Sequence, residues 1–343
     1  MNTFCHQLGI DYPLIQAPMA GGIVPPSMVA QVCEYGAMGS LATGYLSLEV
    51  IAEQIDQIQS QTHRPFAVNL FVDYGSTPTT TFRKPDGLIA LEQEAGLDAP
   101  QTYQLSAAPP MDALIALMLE KEVPVVSTTF GLLSGEHVDA LKSAAIKLFT
   151  TVNHIGEIEP ALETQQSDAL VFQSALAGGH RGGFSEAGHS DIHAFTQRLS
   201  DLSIPVIYAG GLSSADDIRQ HMQQGYAGVQ VGSALISTVE SSAAESYKQA
   251  LISQGHDRTC QTTAITGKTA RGLSNAIANM VLDNNPGFPH MHYATAALRQ
   301  HAKANGLMAY QSLWAGANAY QIQHIDPLKS RLETLCAAFT ASH

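Results

Sequence analysis

The chain has 343 residues, 45% of them hydrophobic, with a mean hydropathy of +0.01, enough apolar content for a large core and within the size that one α/β barrel fills. Lys and Arg number 17 against 30 Asp and Glu, a formal net charge of −13; this opposes unspecific attraction to phosphate backbones and anionic bilayers, so neither nucleic acid nor a membrane is expected as a partner. The first residues lack a basic segment followed by an apolar one, no apolar run reaches spanning length, and Cys5, Cys33, Cys260 and Cys336 show no paired or His/Cys ligand spacing, which points to a cytoplasmic protein with reduced thiols and no metal centre.

In chain order, eight short apolar runs rich in β-branched residues alternate with helix-length stretches: 14–17, 37–42, 66–71, 123–127, 146–151, 169–173, 205–209 and 228–231. Near-continuous apolarity is what parallel strands buried on both faces require, and segments such as 27–35 and 46–59 have the amphipathic period of the helices between them. Eight βα repeats predict a TIM-type (β/α)8 barrel, with an open doubly wound sheet as the alternative. Two stretches break the repeat. Residues 74–110, rich in Pro, Thr and Gly, are expected to be an insertion after the third strand, and 241–299 a small lid or substrate subdomain after the eighth; the barrel then occupies 1–240, and 300–343 returns to it as helices.

Catalytic groups of such a barrel sit where strands end and loops begin at the C-terminal rim. After the first strand, Gln16-Ala17-Pro18-Met19-Ala20-Gly21-Gly22 combines a fixed turn with two glycines that let backbone approach a flat ligand. Asn69 and Gln173 end the third and sixth strands, and carboxamides can serve a donor–acceptor edge. Ala209-Gly210-Gly211-Leu212-Ser213-Ser214 follows the seventh strand and Gly232-Ser233 the eighth, the pair of loops that forms a phosphate site in many barrels, with helix N-termini facing the anion. The loop Ala177-Gly178-Gly179-His180-Arg181-Gly182-Gly183 is too rich in glycine for a regular element and projects one imidazole, so His180 is the candidate base. His154, after the fifth strand, is placed near the rim, whereas His189 lies in a polar stretch and is expected to be exposed.

Together these motifs resemble the nitronate monooxygenase family. The resemblance runs from position 14 to about 316 and rests on Gln-Ala-Pro-Met-Ala-Gly-Gly at 16–22, Val-Asn-Leu-Phe at 68–71, Ala-Gly-Gly-His-Arg-Gly at 177–182, Ala-Gly-Gly-Leu at 209–212, Gly-Val-Gln-Val-Gly-Ser at 228–233 and Thr-Gly-Lys-Thr-Ala-Arg-Gly at 266–272. It implies a barrel that binds FMN and oxidises alkyl nitronates, and in many members neutral nitroalkanes, with O2 to a carbonyl compound and nitrite. On that resemblance His180 is the base, and Ala17, Pro18, Met19, Asn69, Gln173, Ala177, Gly178, Gly179, Ala209, Gly210, Gly211, Val231, Gly232 and Ser233 hold the cofactor. Pro289, His292 and Tyr293 loosely match a substrate-pocket motif.

The sequence departs from the family at two polar positions: Leu176 replaces a carboxylate four residues before His180, and Ala317 replaces a carboxamide after Trp314. Alternative readings are an FMN-dependent NAD(P)H enoyl reductase and a flavin-binding barrel without turnover. A dehydrogenase of the inosine-phosphate type needs a nucleophilic Cys on a rim loop, and none of the four Cys lies there. The expected partners are a small nitronate or nitroalkane and O2, with the chain a monomer or homodimer.

Overall fold

Eight parallel strands carry the fold: β1 (Leu14–Gln16), β2 (Ser40–Ala42), β3 (Ala67–Phe71), β4 (Val125–Thr129), β5 (Lys147–Val152), β6 (Ala169–Gln173), β7 (Val206–Ala209) and β8 (Gly228–Val231). They belong to a computed structural model that describes residues 3–72, 80–185, 190–253, 255 and 258–340. Each strand pairs with its neighbour in the order β1-β8-β7-β6-β5-β4-β3-β2. The ends of that order meet. An isolated parallel bridge joins Ile15 to Met38, the Gln16 amide donates to the Met38 carbonyl at 2.8 Å, and the Met38 amide donates to the Leu14 carbonyl at 2.9 Å. The sheet is therefore a barrel and not an open doubly wound sheet.

The expected second strand, 37–42, is divided at this seam. Met38 pairs with β1 while Ser40–Ala42 pairs with β3. Between them Gly39 packs so close to the preceding helix, Pro26–Tyr35, that a Cβ would lie 2.4 Å from the Val29 carbonyl oxygen. Gln16 strengthens the seam from within: its Oε1 accepts the Ser40 amide at 2.9 Å. The fourth strand is also displaced from its expected position, because Pro124 offers no N–H and the β-branched Thr128 and Thr129 continue the ladder against Leu70 and Phe71.

The interior divides along the barrel axis. Phe4 and Cys5 of the helix Thr3–Leu8 plug the N-terminal end and pack with Ile15, Met38, Phe149 and Ile207. Gly228 leaves the space that Phe4 occupies, since a Cβ there would meet its ring at 2.9 Å. The lumen is thus filled from below, and the space that remains opens at the C-terminal rim.

Over that rim a separate apolar cluster draws on both interrupting stretches. The antiparallel strands Thr81–Arg83 and Thr102–Gln104 with the helix Asp86–Glu94 contribute Leu88, Leu91 and Tyr103; the segment after β8 contributes Ile265, Ile277, Met291, Ala294 and Leu298. Beneath the helix a buried ion pair, Lys84 Nζ to Glu92 Oε1 at 2.6 Å, has both side chains only 3% exposed. The last long helix, Leu328–Cys336, adds Leu328, Leu332, Leu335 and Cys336 to the shell around the barrel.

Candidate active site

The rim encloses a cavity of about 480 Å³. Its floor is built from strand ends and glycine loops: Ala17, Pro18 and Met19 after β1, Asn69 of β3, Gln173 of β6, Ala177, Gly178 and Gly179, Ala209, Gly210 and Gly211 after β7, and Gly232 and Ser233 after β8 all line it. Of the residues expected to hold a cofactor, Val231 alone does not. Strand side chains alternate, so Gln230 faces the cavity while Val231, 1% exposed, faces the surrounding helices; its carbonyl accepts the Ala17 amide at 2.8 Å.

The phosphate-type loops differ from expectation in one respect. The helix Ala215–Gln223 is capped by its own residues: Ser214 is the N-cap, and the amides of Ser213 and Ser214 both donate to Asp217 Oδ2 at 3.0 Å. That helix end is occupied by its own Asp217 carboxylate, so the amides of Ser213 and Ser214 offer nothing to an anion. Gly211, Gly232 and Ser233 differ: each lines the cavity, and its amide donates to no described residue. Gly211 has φ +71, a conformation glycine adopts without strain. The segment 314–318 fixes these loops from above. The Gly316 amide donates to Ser233 Oγ at 2.9 Å, Asn318 Nδ2 to the Gly211 carbonyl at 2.8 Å, and the Ala317 amide to the Leu176 carbonyl at 2.9 Å. At the two departures from the family pattern, Leu176 packs its side chain toward Gly211, and Ala317 contributes backbone alone.

The loop after β6 is held by hydrogen bonds in place of apolar packing. Gln173 donates from Nε2 to the His180 carbonyl at 2.9 Å and accepts the Gly182 amide at 2.7 Å on Oε1. Asn153 Oδ1 accepts the Gly183 amide at 2.5 Å. Glu157, fully buried, accepts the amides of Phe184 at 2.7 Å and Ser185 at 2.6 Å on Oε1, and that of Asn153 at 2.5 Å on Oε2. A carboxylate out of water is tolerable when several donors surround it. Gly183 is required here, because a Cβ would stand 2.5 Å from both Asn153 Oδ1 and Glu157 Oε2. His154 turns toward this carboxylate, with Nε2 3.9 Å from Glu157 Oε1, and does not reach the cavity. His189 lies outside the described residues.

Gly179 and His180 form a short strand that pairs with Ala270 and Arg271 of the strand Ala270–Leu273, itself paired with Thr259–Cys260–Gln261–Thr262. This places the imidazole on the cavity wall among the rings of Phe130, Phe288 and Trp314. Its Nε2 lies 2.8 Å from Thr266 Oγ1. Burial first, then the charges of Lys268 and Arg299, lower its pKa to about 4. His180 is therefore neutral at pH 7. Arg271, from the same motif as Thr266 and Lys268, donates to the Ala175 carbonyl at 3.0 Å and holds the start of the loop.

Several lining residues were not anticipated: Tyr45, Thr266 and Trp314 in their roles, and above all Arg299. Tyr45 stacks on His292 with centroids 3.6 Å apart and planes 3° from parallel. His292, loosely expected in the pocket, does line it; Pro289 and Tyr293 do not. Burial, then Arg299 and His180, push the His292 pKa down to about 2. For this wall the sequence signals were the motif at 266–272, which named no role, the loose match at 289–293 and the motif around Trp314; none of them pointed to Arg299.

The nitronate monooxygenase family profile matches residues 2–338. A probable nitronate monooxygenase of Staphylococcus saprophyticus is 33% identical over 93% of this chain and 92% of its own length. Among solved structures, the nitroalkane oxidase of Streptomyces ansochromogenes is similar at 29% identity and a TM-score of 0.83, covering 97% of this chain and 96% of its own. FabK from Thermotoga maritima shares the fold at a TM-score of 0.78 and 22% identity, over 99% and 96% of the two chains. With its barrel, its rim cavity and the histidine loop in place, this chain belongs to the nitronate monooxygenase family and is an oxidoreductase of that family.

Proposed function

We propose that this protein uses FMN to oxidise alkyl nitronates with O2 to a carbonyl compound and nitrite, and that His180 generates the nitronate when the substrate arrives as a neutral nitroalkane. The carrying observation is the imidazole itself: neutral at pH 7, on the cavity wall, held at Nε2 by Thr266 and without a described hydrogen-bond partner on Nδ1. Thr266 Oγ1 also lies 3.4 Å from the Lys268 carbonyl. Donating its proton there lets Thr266 accept Nε2–H, which leaves the Nδ1 lone pair to take a proton from carbon.

The floor fits a flavin phosphate. Three residues that line the cavity, Gly211, Gly232 and Ser233, have amides that donate to no described residue, and the Ser233 hydroxyl accepts from Gly316, so its own proton is available to an anion. Gly210 and Gly178 let the segments that form the wall pack against one another, since a Cβ on either would strike backbone at 2.7 and 2.6 Å respectively. When bound, FMN supplies the electron acceptor for the nitronate and the site of reaction with O2. The side chains position the substrate, keep the base neutral and exclude bulk water. We read 1–240 as the barrel that carries this site, 241–299 together with the insertion at 74–110 as its cover, and 300–343 as the return to the barrel. Among the described residues no helix is long and apolar enough to cross a membrane.

An absorption spectrum of the purified protein tests the reading. Flavin bands that bleach on anaerobic addition of propyl-2-nitronate, with O2 uptake and nitrite release in air, are the expected result. Bleaching by NADPH alone, with no response to nitronate, identifies a reductase.

A further inference from the structure

The protein carries a net charge of −13, yet no Asp or Glu is among the described residues lining the cavity; Arg299 and Lys303, one helical turn apart on the helix Ala296–Ala304, are. Arg299 donates from Nη2 to the His292 carbonyl at 2.6 Å, approaches His292 Nδ1 at 3.4 Å, and donates from Nε to Thr295 Oγ1 at 3.1 Å. All of these partners are neutral. Desolvation lowers the Arg299 pKa, and the Tyr45 hydroxyl opposes it. Arg299 is partly buried and gains no counter-ion among the described residues, a costly state that a bound anion relieves. Its planar fork matches two oxygens on one atom.

We propose that Arg299 is a second catalytic residue, which binds the two oxygens of the substrate's nitro group and holds the anion formed when His180 removes the adjacent proton. This inference rests on the nitronate reading above. In the step, the C–H bond breaks and the proton joins the imidazole; its electron pair becomes the C=N bond while an N=O pair moves onto oxygen, with no change of oxidation state. The charge that appears on oxygen is then opposite a cation fixed beforehand, the arrangement that lowers a barrier most effectively. Arg299 is near enough to His180 to act on its charge, and the same field that keeps the base neutral also stabilises the product of proton loss.

The test uses isobutyrate, the carboxylate isostere of 2-nitropropane, against neutral isobutyramide, by calorimetric titration of the holoenzyme without turnover. Wild type should prefer the anion by about tenfold or more, as expected for a charge-assisted pair. Arg299→Met should abolish the preference, and Arg299→Lys should restore part of it. In steady state, Arg299→Met should lower kcat/KM for 2-nitropropane and move the acid limb of its pH profile upward. Burial and Lys268 continue to hold the His180 pKa down, Thr266 and the rings of Phe130, Phe288 and Trp314 carry no charge, and His292 stays neutral. Equal binding of the two probes to wild type, which requires no variant, or unchanged anion preference in Arg299→Met overturns the proposal. Anion binding that depends on Arg299 in a protein that turns over no nitronate preserves the anion site and removes the nitronate reading.

Discussion

On the readings proposed above, the two ends of the cavity meet negative charge by different means. The floor uses backbone: glycine amides after β7 and β8, with no cationic side chain among its lining residues. The wall beneath the cover uses side chains, Arg299 and the neutral His180, brought together from a helix and a loop 119 positions apart in the chain, as 299 − 180 shows. Backbone donors impose a shape and accept a ligand of one geometry. A guanidinium on the same wall as the base would, on the proposal above, supply charge to a reaction.

Gly211→Asp breaks the floor. It sets a carboxylate among uncommitted amides at φ +71, with its Cβ 3.1 Å from that of Leu176, and should yield protein essentially free of flavin, read as the ratio of flavin to protein absorbance. His180→Asn breaks the wall and leaves the floor intact. It should keep its flavin, lose about a hundredfold or more in rate on neutral nitroalkanes, and retain more on preformed nitronates; equal loss on both removes the base role. Glu157→Gln loosens the loop without touching the cavity. Replacing a carboxylate that accepts three amides should cost about 1–3 kcal/mol of stability, measured by denaturant unfolding, with flavin content unchanged.

The smallest effect is on pH dependence. His180 has its pKa lowered to about 4, so the neutral, competent form persists as pH falls past the ordinary value near 6.5. kcat/KM for a nitroalkane should hold through pH 6 and fall only as pH approaches 4; an acid limb near 6.5 would place the imidazole in water. The same shift affects stability. A histidine neutral in the fold but protonated when unfolded contributes above pH 6.5, and that contribution is lost as pH drops from there toward 4.

The contrast also explains what could be read from the sequence. Glycine pairs after strand-like runs announce themselves, because glycine adopts Gly211's φ without strain and only glycine fits the close approach at Gly178, and so the residues lining the floor were legible almost one by one. Val231 was misplaced by one position for a reason of period: motif matching takes in neighbours on both faces of a strand. The run at 37–42 hid Gly39's contact with the Val29 carbonyl, which belongs to helix packing and leaves no local trace. Glu157 is the carboxylate that organises the histidine loop, but it comes from the β5 side and not from position 176. Arg299 sits in an ordinary amphipathic stretch, where an arginine signals solvent; its meaning depends on which side of the helix the cover presses against the barrel.

The seam between β1 and Met38 has a dynamic consequence. Two backbone bonds and the Gln16 side chain close the barrel there, whereas β3 and β4 pair over five residues. Local opening free energies follow such differences, so the amides of Gln16, Met38 and Ser40 should lose protection in hydrogen exchange before those of β3 to β6. Ala17, Pro18 and Met19 follow directly from the seam. Opening of the seam should therefore carry the loop 17–19 with it, and a ligand seated on that loop should slow exchange at residues it never touches.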